Sequence, residues 1–343
     1  MKELSLIIPA YNSAHFLEKG IGSLINERVL EKLDIIIVND GSVDETVEVA
    51  ERFCSQYPNS IRLINQENKG HGGALNTGCA AAQGRYLKVI DADDWVETQN
   101  LEKLLSCLEQ CDSDVVLTHY YTVDISKEEI KQWKSVPPEF GKSYTIREIV
   151  DLWNCFEWSM TLHGIAYRTS FYQEYGIHLS EHVFYEDYEF STFPCCIARS
   201  VTPLDLFIYD YRIGDVQQSV SDANQLKRSS HVEMVLKRMI YEYHQLDVYN
   251  DAGREYVCKK ITGLLMSYLT TQMLVNPEKV KGRGAASLMM EYVQREIPAV
   301  WGMAKRKYQL YVLMNRLHIS KSVFERLLHV KTMKKLINES KER

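Results

Sequence analysis

Val89-Ile90-Asp91-Ala92-Asp93-Asp94-Trp95 is a short apolar run that stops in three carboxylates, with one alanine between the first two. The run reads as the end of a buried strand, and open α/β sheets gather their ligands just beyond the carboxyl ends of strands. Three acids this close need a counter-charge, which a hard divalent ion holding a phosphate would supply. The alternative is a solvated turn in which Asp94 caps the next helix.

Upstream, the same strand-then-polar-loop pattern recurs. Leu4-Ser5-Leu6-Ile7-Ile8-Pro9 predicts a first strand buried on both faces. Asn12 or Ser13 is placed to cap a helix carrying Phe16, Leu17, Ile21 and Leu24 at helical spacing. A second strand over Asp34 to Val38 runs into Asn39-Asp40-Gly41-Ser42, with Asp44 placed to cap a helix through Tyr57. Ile61 to Ile64 predicts a third strand, Gly70 to Gly73 a glycine-rich loop, Ala74 to Ala82 a helix and Tyr86 to Ile90 a fourth strand. Strands alternating with helices imply right-handed crossovers, a mostly parallel sheet and an α/β class. The loops at Tyr11, Asp40 and Asp91 then share one edge, where a nucleotide would bind.

Five motifs together carry a resemblance. Ile8-Pro9-Ala10-Tyr11-Asn12, Val38-Asn39-Asp40-Gly41-Ser42-Val43-Asp44, Asn68-Lys69-Gly70 with Ala74-Leu75-Asn76, Asp91-Ala92-Asp93-Asp94 and Tyr185-Glu186-Asp187-Tyr188-Glu189-Phe190 stand in this order in the chain. In order and spacing they resemble the family 2 glycosyltransferases, inverting and nucleotide-sugar dependent. The resemblance implies a GT-A fold, a Rossmann-like, mostly parallel sheet flanked by helices. It covers the first 100 residues or so and the Glu186-Asp187 motif, and fades after Asp215.

What the resemblance implies is a transfer of sugar from a nucleotide diphosphate, with UDP expected, to a hydroxyl of a surface glycan or lipid-linked acceptor. Asp91 and Asp93 would hold Mg²⁺ or Mn²⁺, with Asp91 and Ala92 also beside the nucleotide. Asp40 would accept from the base, unless it is only the turn residue before Gly41. Pro9, Ala10 and Tyr11 would border the base, with the Tyr11 ring either stacking or packing. Asn68, Lys69, Gly70 and His71 would face the phosphates, as bare backbone N–H groups at a helix start can. Asp187 would take the acceptor proton and Glu186 would position the acceptor or the base, an arrangement that also suits an acidic helix start.

Two departures from the family pattern matter. Ala74-Leu75-Asn76 stands where Ala-Arg-Asn is frequent, so Lys69 or His71 is expected to supply the missing cation. Glu97-Thr98-Gln99 stands where a proline often follows the acids, a turn variant. Trp153, Trp158, His163 and Tyr167 fall between the acidic cluster and Asp187. Of these, Trp158 and His163 are taken as acceptor-side candidates, with core packing as the competing reading.

The remainder of the chain sets bounds. At 343 residues, 45% hydrophobic and 25% charged, it is an ordinary globular composition. No apolar run approaches a membrane span and Leu4 to Pro9 is too short for a signal peptide, so the expected location is the cytosol. Eight cysteines without a C-x-x-C pair predict reduced, mostly buried thiols; Cys107 and Cys111, one helical turn apart, read as packing rather than metal binding. The domain expectation is a catalytic domain over 1–215 and a helical extension over 216–343, with helices over Leu226–Leu246, Tyr256–Val275, Ala285–Glu296 and Lys305–Leu317.

The net charge of −6 is unevenly spread, since residues 301–343 carry eleven Lys or Arg against three acids. Val323, Leu327, Leu328, Val330, Met333, Leu336 and Ile337 alternate there with Lys331, Lys334 and Lys335. Such a basic amphipathic tail suits the anionic inner face of the plasma membrane, a homodimer or the chain's own acidic domain. Nucleic acid is not expected, since aromatic interleaving and a known motif are absent. Two other functions remain open on sequence: a nucleotidyltransferase, and a non-catalytic sugar-nucleotide-binding scaffold of a polysaccharide assembly complex.

Overall fold

The computed structural model describes residues 2–215, 221–247, 250–324 and 326. Four parallel strands open the fold: β1 (Leu4–Ala10), β2 (Leu33–Asp40), β3 (Ile61–Gln66) and β4 (Tyr86–Val89), in the spatial order β3-β2-β1-β4. They alternate with α1 (Ala14–Leu24), α2 (Thr46–Gln56) and α3 (Gly70–Ala81). Every residue of β1 and β2 is buried, as strands covered on both faces require. α1 turns Leu17, Ile21 and Leu24 inward, the face its sequence spacing predicts.

Next come β5 (Trp95–Val96), α4 (Thr98–Glu109), β6 (Val115–Asp124), β7 (Glu129–Trp133), α5 (Ile146–Asp151) and α6 (Trp153–Phe156). They are followed by β8 (Ile165–Arg168), α7 (Thr169–Tyr175), α8 (Asp187–Phe190) and β9 (Val201–Ile213). The sheet continues from β4 through β8, β6 and β9 to β5, with β7 alongside β6. β8 runs antiparallel to both of its neighbours, while β6 and β9 are parallel.

Register decides which loops meet. Ala10 pairs with Asn39 and Asp40 with Gln66, so the ends of β1, β2 and β3 finish at one height. Ile7 pairs with Val89, which brings Asp91 to the level of Pro9. The opposite edge is closed by a polar knot: Ser5 Oγ donates to Asp34 over 2.6 Å and Arg62 Nε donates to the same carboxylate over 2.8 Å. Asp34 is held below the ordinary carboxylate range because these hydrogen bonds outweigh the opposing effect of burial.

Two local expectations are corrected. α3 begins at Gly70 rather than Ala74, so the glycine-rich stretch is the helix's first turn. Its glycines allow close packing: a Cβ on Gly72 would lie 2.2 Å from the Ser180 carbonyl oxygen. The first helix is not capped by the side chain of Asn12 or Ser13. Instead Asp44, 30 residues away, accepts from the Ala14 N–H over 3.2 Å and from the Thr46 N–H over 3.0 Å, serving α1 and α2 together.

The chain divides into two compact units, Met1–Gln218 with Glu242–Val257, and Ser219–Tyr241 with Cys258–Arg343. The helices of the C-terminal third are α9 (Asp222–Lys227), α10 (Ser229–Gln245), α11 (Asp251–Thr270), α12 (Lys279–Glu296) and α13 (Pro298–Arg316). Within the second unit, α11 ends in a π-helical turn over Thr271–Val275. Asn315, fully buried, donates to the Met273 carbonyl over 2.8 Å and accepts from Arg283 over 2.6 Å, which satisfies that widened turn. Of the basic tail, Leu327, Leu328, Val330, Lys331, Met333, Lys334, Lys335, Leu336 and Ile337 lie outside the described residues.

Candidate active site

Beyond the carboxyl ends of β1, β2 and β3 lies a cavity of about 400 Å³. Pro9, Ala10, Tyr11, Asp40, Asn68, Gly70 and His71 line it, as the shared edge predicts. Tyr11 stands half in solvent at the mouth. Asp40 is buried, and its Oδ1 accepts from the Lys69 N–H over 2.8 Å and from Gln66 Nε2 over 2.7 Å. Asn68 Nδ2 donates to the Asp40 carbonyl over 2.9 Å. Gly41, at φ 74°, makes that contact possible, because a Cβ there would come 2.9 Å from the Asn68 nitrogen. Lys69 is exposed and Ala92 is buried, and neither lines the cavity.

Sequence reasoning missed the far wall, built by His182, Val183 and Phe184. The His182 N–H donates to the Lys69 carbonyl over 2.8 Å. His182 at φ 55° and Tyr185 at φ 75° hold left-handed backbone, a strain of order 1–3 kcal/mol each. It is held in place by buried Glu189, which accepts from the Ser180 N–H over 2.8 Å and from Ser180 Oγ over 2.7 Å. The positive φ values themselves leave no pattern in the sequence.

His71 joins two parts of the chain. Its Nε2 lies 2.9 Å from Asp91 Oδ1 and its Nδ1 is hydrogen-bonded to Glu186 Oε1, so one imidazole spans the acidic turn and the Glu186-Asp187 pair. Burial opposes its charge, yet the two flanking carboxylates raise its pKa well above the ordinary histidine value. Asp91 is correspondingly lowered: burial works against its ionisation, and the His71 charge and hydrogen bond outweigh it. Asp187 is the first residue of α8, and Glu186, directly before it, is buried.

The acidic turn is braced from β9. Tyr209 Oη accepts from the Asp91 N–H over 3.1 Å and donates to Asp94 Oδ2 over 2.5 Å, while the Arg212 N–H donates to Asp94 Oδ1 over 2.7 Å. Asp94 is buried; burial, then the charges of Asp93 and Asp91, raise its pKa well above the ordinary range. Asp93 remains partly exposed, its Oδ2 3.6 Å from Arg212 Nη1. Arg212 is thus a second cation at the site, one that the reading of Lys69 and His71 did not include.

Asp91, Asp94 and His163 each bring one ligand atom within 4.8 Å of the others. His163 Nδ1 is buried without a hydrogen-bond partner. Burial lowers the His163 pKa to about 4, with Lys88 acting in the same sense and Asp91 against it, so the ring presents a neutral lone pair. Two carboxylates and an imidazole fit a divalent cation. Asp93 lies outside this group of three. Lys88, fully buried on β4, donates to the His163 carbonyl over 2.5 Å, and burial lowers its pKa to about 7.

From His163 an aromatic wall leads outward. Tyr211 stacks on it at 4.2 Å between ring centroids and Tyr120 lies at 5.2 Å. Trp133 follows Tyr120, and half-exposed Trp158 lies 4.7 Å from Trp133. Trp153 and Tyr167 are packed elsewhere: Trp153 meets Tyr256 edge-on, and fully buried Tyr167 donates to the Phe190 carbonyl over 2.7 Å. Four of the eight cysteines are buried, and Cys107 is exposed.

The family description "Glycosyl transferase family 2" matches residues 5–176, just over half of the 343-residue chain. "Glycosyltransferase GlyG" of Streptococcus pneumoniae is 35% identical over 128 residues, covering 37% of this chain and 42% of that protein. "Putative glycosyltransferase EpsH" of Bacillus subtilis is 30% identical over 218 residues, covering 61% of this chain and 60% of the relative. The chain therefore spans less than two thirds of the length of these relatives. Among solved structures, residues 1–349 of S. aureus TarS in complex with UDP-GlcNAc superimpose with a TM-score of 0.62 at 18% identity, over 91% of this chain and 89% of that one. This similarity shows the fold.

Proposed function

The chain belongs to glycosyl transferase family 2 and is therefore a glycosyltransferase, and from that premise we propose that it moves a sugar, with inversion, from a UDP-sugar to a hydroxyl of a surface glycan or lipid-linked acceptor. Family membership decides for a glycosyltransferase over the nucleotidyltransferase and scaffold readings. The observation that carries the proposal is His71: a single side chain bonded both to Asp91 and to Glu186 gathers a diphosphate-handling group and a proton-accepting group into one site.

The residues divide the work by position. Asp40 has one carboxylate oxygen engaged by Lys69 and Gln66, and it accepts from the base; Tyr11 at the cavity mouth offers its ring. The diphosphate lies towards His71 and Arg212, whose charges oppose the negative charge that builds as it departs. A divalent ion, when bound by Asp91 and His163 with Asp94 or Asp93, would neutralise the same charge. On the acceptor side, Asp187 takes the hydroxyl proton as that oxygen bonds to the anomeric carbon and the carbon–phosphate oxygen bond breaks. Glu186 is held by His71 beside Asp187, and half-exposed Trp158 offers an aromatic face to the acceptor. The site belongs to a catalytic domain proposed to run over residues 1–215.

The support for UDP comes from the complex of TarS with UDP-GlcNAc, a protein of the same fold. The test is a panel of nucleotide sugars with Mn²⁺, read as nucleotide release. At least one donor should turn over, and Asp187→Asn should lower that turnover by about 10²–10⁴-fold while donor affinity stays within about twofold. A panel in which nothing binds and nothing turns over would refute the proposal.

A further inference from the structure

Among the described residues of the second unit, α13 carries an apolar stripe that stands in water. Met303, Leu310, Leu313 and Leu317, each 45–62% exposed, recur along α13 and the residue after it. They flank the buried face of Val300, Ala304, Tyr311, Met314 and Asn315, with Met303 at its border. At 1.5 Å per residue the stripe is about 21 Å long. α13 also carries Lys305, Arg306, Lys307 and Arg316, all exposed, and no acid. Helical spacing puts Arg306 inside the stripe and Lys305 and Arg316 along one flank.

We propose that this face of α13 rests on an anionic lipid surface, with the four apolar side chains entering the headgroup boundary and the basic side chains meeting lipid phosphates. The occupant follows from charge. A second copy paired through the same stripe would set these cations against their own counterparts, with no acid on the helix to answer them. Anionic lipid answers all of them at once, and an apolar stripe flanked by Lys and Arg is the pattern of a helix lying in the interfacial plane. Among the described residues no helix is long and apolar enough to cross a membrane, so the contact is one of lying on the surface. The contact involves none of the residues assigned to catalysis and none of the C-terminal lysines.

Sedimentation of the full chain with vesicles tests it. Mixed phosphatidylglycerol and phosphatidylcholine vesicles should bind at least about tenfold more protein than pure phosphatidylcholine, in a salt-sensitive way. Leu310→Glu with Leu313→Glu should lower that binding about tenfold, and Arg306→Glu with Arg316→Glu should lower it and flatten the salt dependence. Lys331→Glu with Lys334→Glu and Lys335→Glu should leave most of it. Far-UV circular dichroism checks folding, and Met303→Gln with Leu317→Gln serves if the double glutamate misfolds. Wild-type protein that ignores anionic vesicles overturns the proposal, as does loss of binding only with the three tail substitutions. A dimer in analytical ultracentrifugation that Leu310→Glu with Leu313→Glu converts to monomer, at unchanged vesicle binding, also overturns it.

Discussion

Asp210 lies on β9 opposite Trp95, buried, with Glu97 and Lys19 as its charged neighbours. Burial and then Glu97 push its carboxyl up to about 7, against the pull of Lys19. Between the ordinary carboxylate range and that value, the folded state holds the extra proton. Stability therefore falls as pH rises through this window, and the loss is complete above it. Asp210→Asn should raise stability by about 1–2 kcal/mol on the alkaline side of the window and change little on the acid side, as read from urea midpoints. At this scale the acidic turn was legible, because three carboxylates after an apolar run have few uses. Its braces were not: Tyr209 lies 118 residues from Asp91 and Arg212 lies 118 from Asp94, and local spacing carries no trace of such pairs. His163 could be singled out as a lone histidine among aromatics, but its approach to Asp91 depends on how β8, β6 and β9 align.

Among elements, α3 shows how packing overrides propensity. Glycine is a poor helix former, so Gly70-His71-Gly72-Gly73 reads as a loop. The helix nonetheless starts there because the Ser180–Glu186 segment lies against it with no room for side chains. Gly72→Ala should cost about 1–3 kcal/mol and weaken donor binding through His71 and His182, whereas Gly22→Ala in α1, with open space around it, should be neutral or stabilising by up to about 1 kcal/mol. Chemical denaturation of the two variants measures the difference. The first four strands were readable because each begins in a mostly apolar stretch and is bounded by turn residues. β5 has two residues and β7 is largely exposed, so neither shows a period that sequence reading can use.

For the whole molecule, the chain divides into two compact units, and residues 242–257 belong with the first. Periodicity found the helices of that region, but it could not find their partners, because an amphipathic face does not name what covers it. A donor that binds only the folded chain raises its stability by about 2.7 kcal/mol at a hundred times its dissociation constant. UDP-sugar with Mn²⁺ should accordingly raise the melting temperature by about 2–4 °C, and a chelator should remove the metal-dependent part; a differential scanning measurement with and without chelator checks both.

The Tyr209 hydroxyl shared between Asp91 and Asp94 also bears on the order of events during synthesis. A nascent chain that has left the ribosome as far as residue 176 already displays the whole matched family segment, yet Glu186, Tyr209 and Arg212 are still to come. Until they arrive, Asp94 has neither its hydroxyl donor nor its backbone donor, and its burial would be strongly opposed. The pairing of β1 to β4 needs none of these later residues, whereas the acidic turn stays hydrated without them. The turn gains these braces only where β9 lies beside β6.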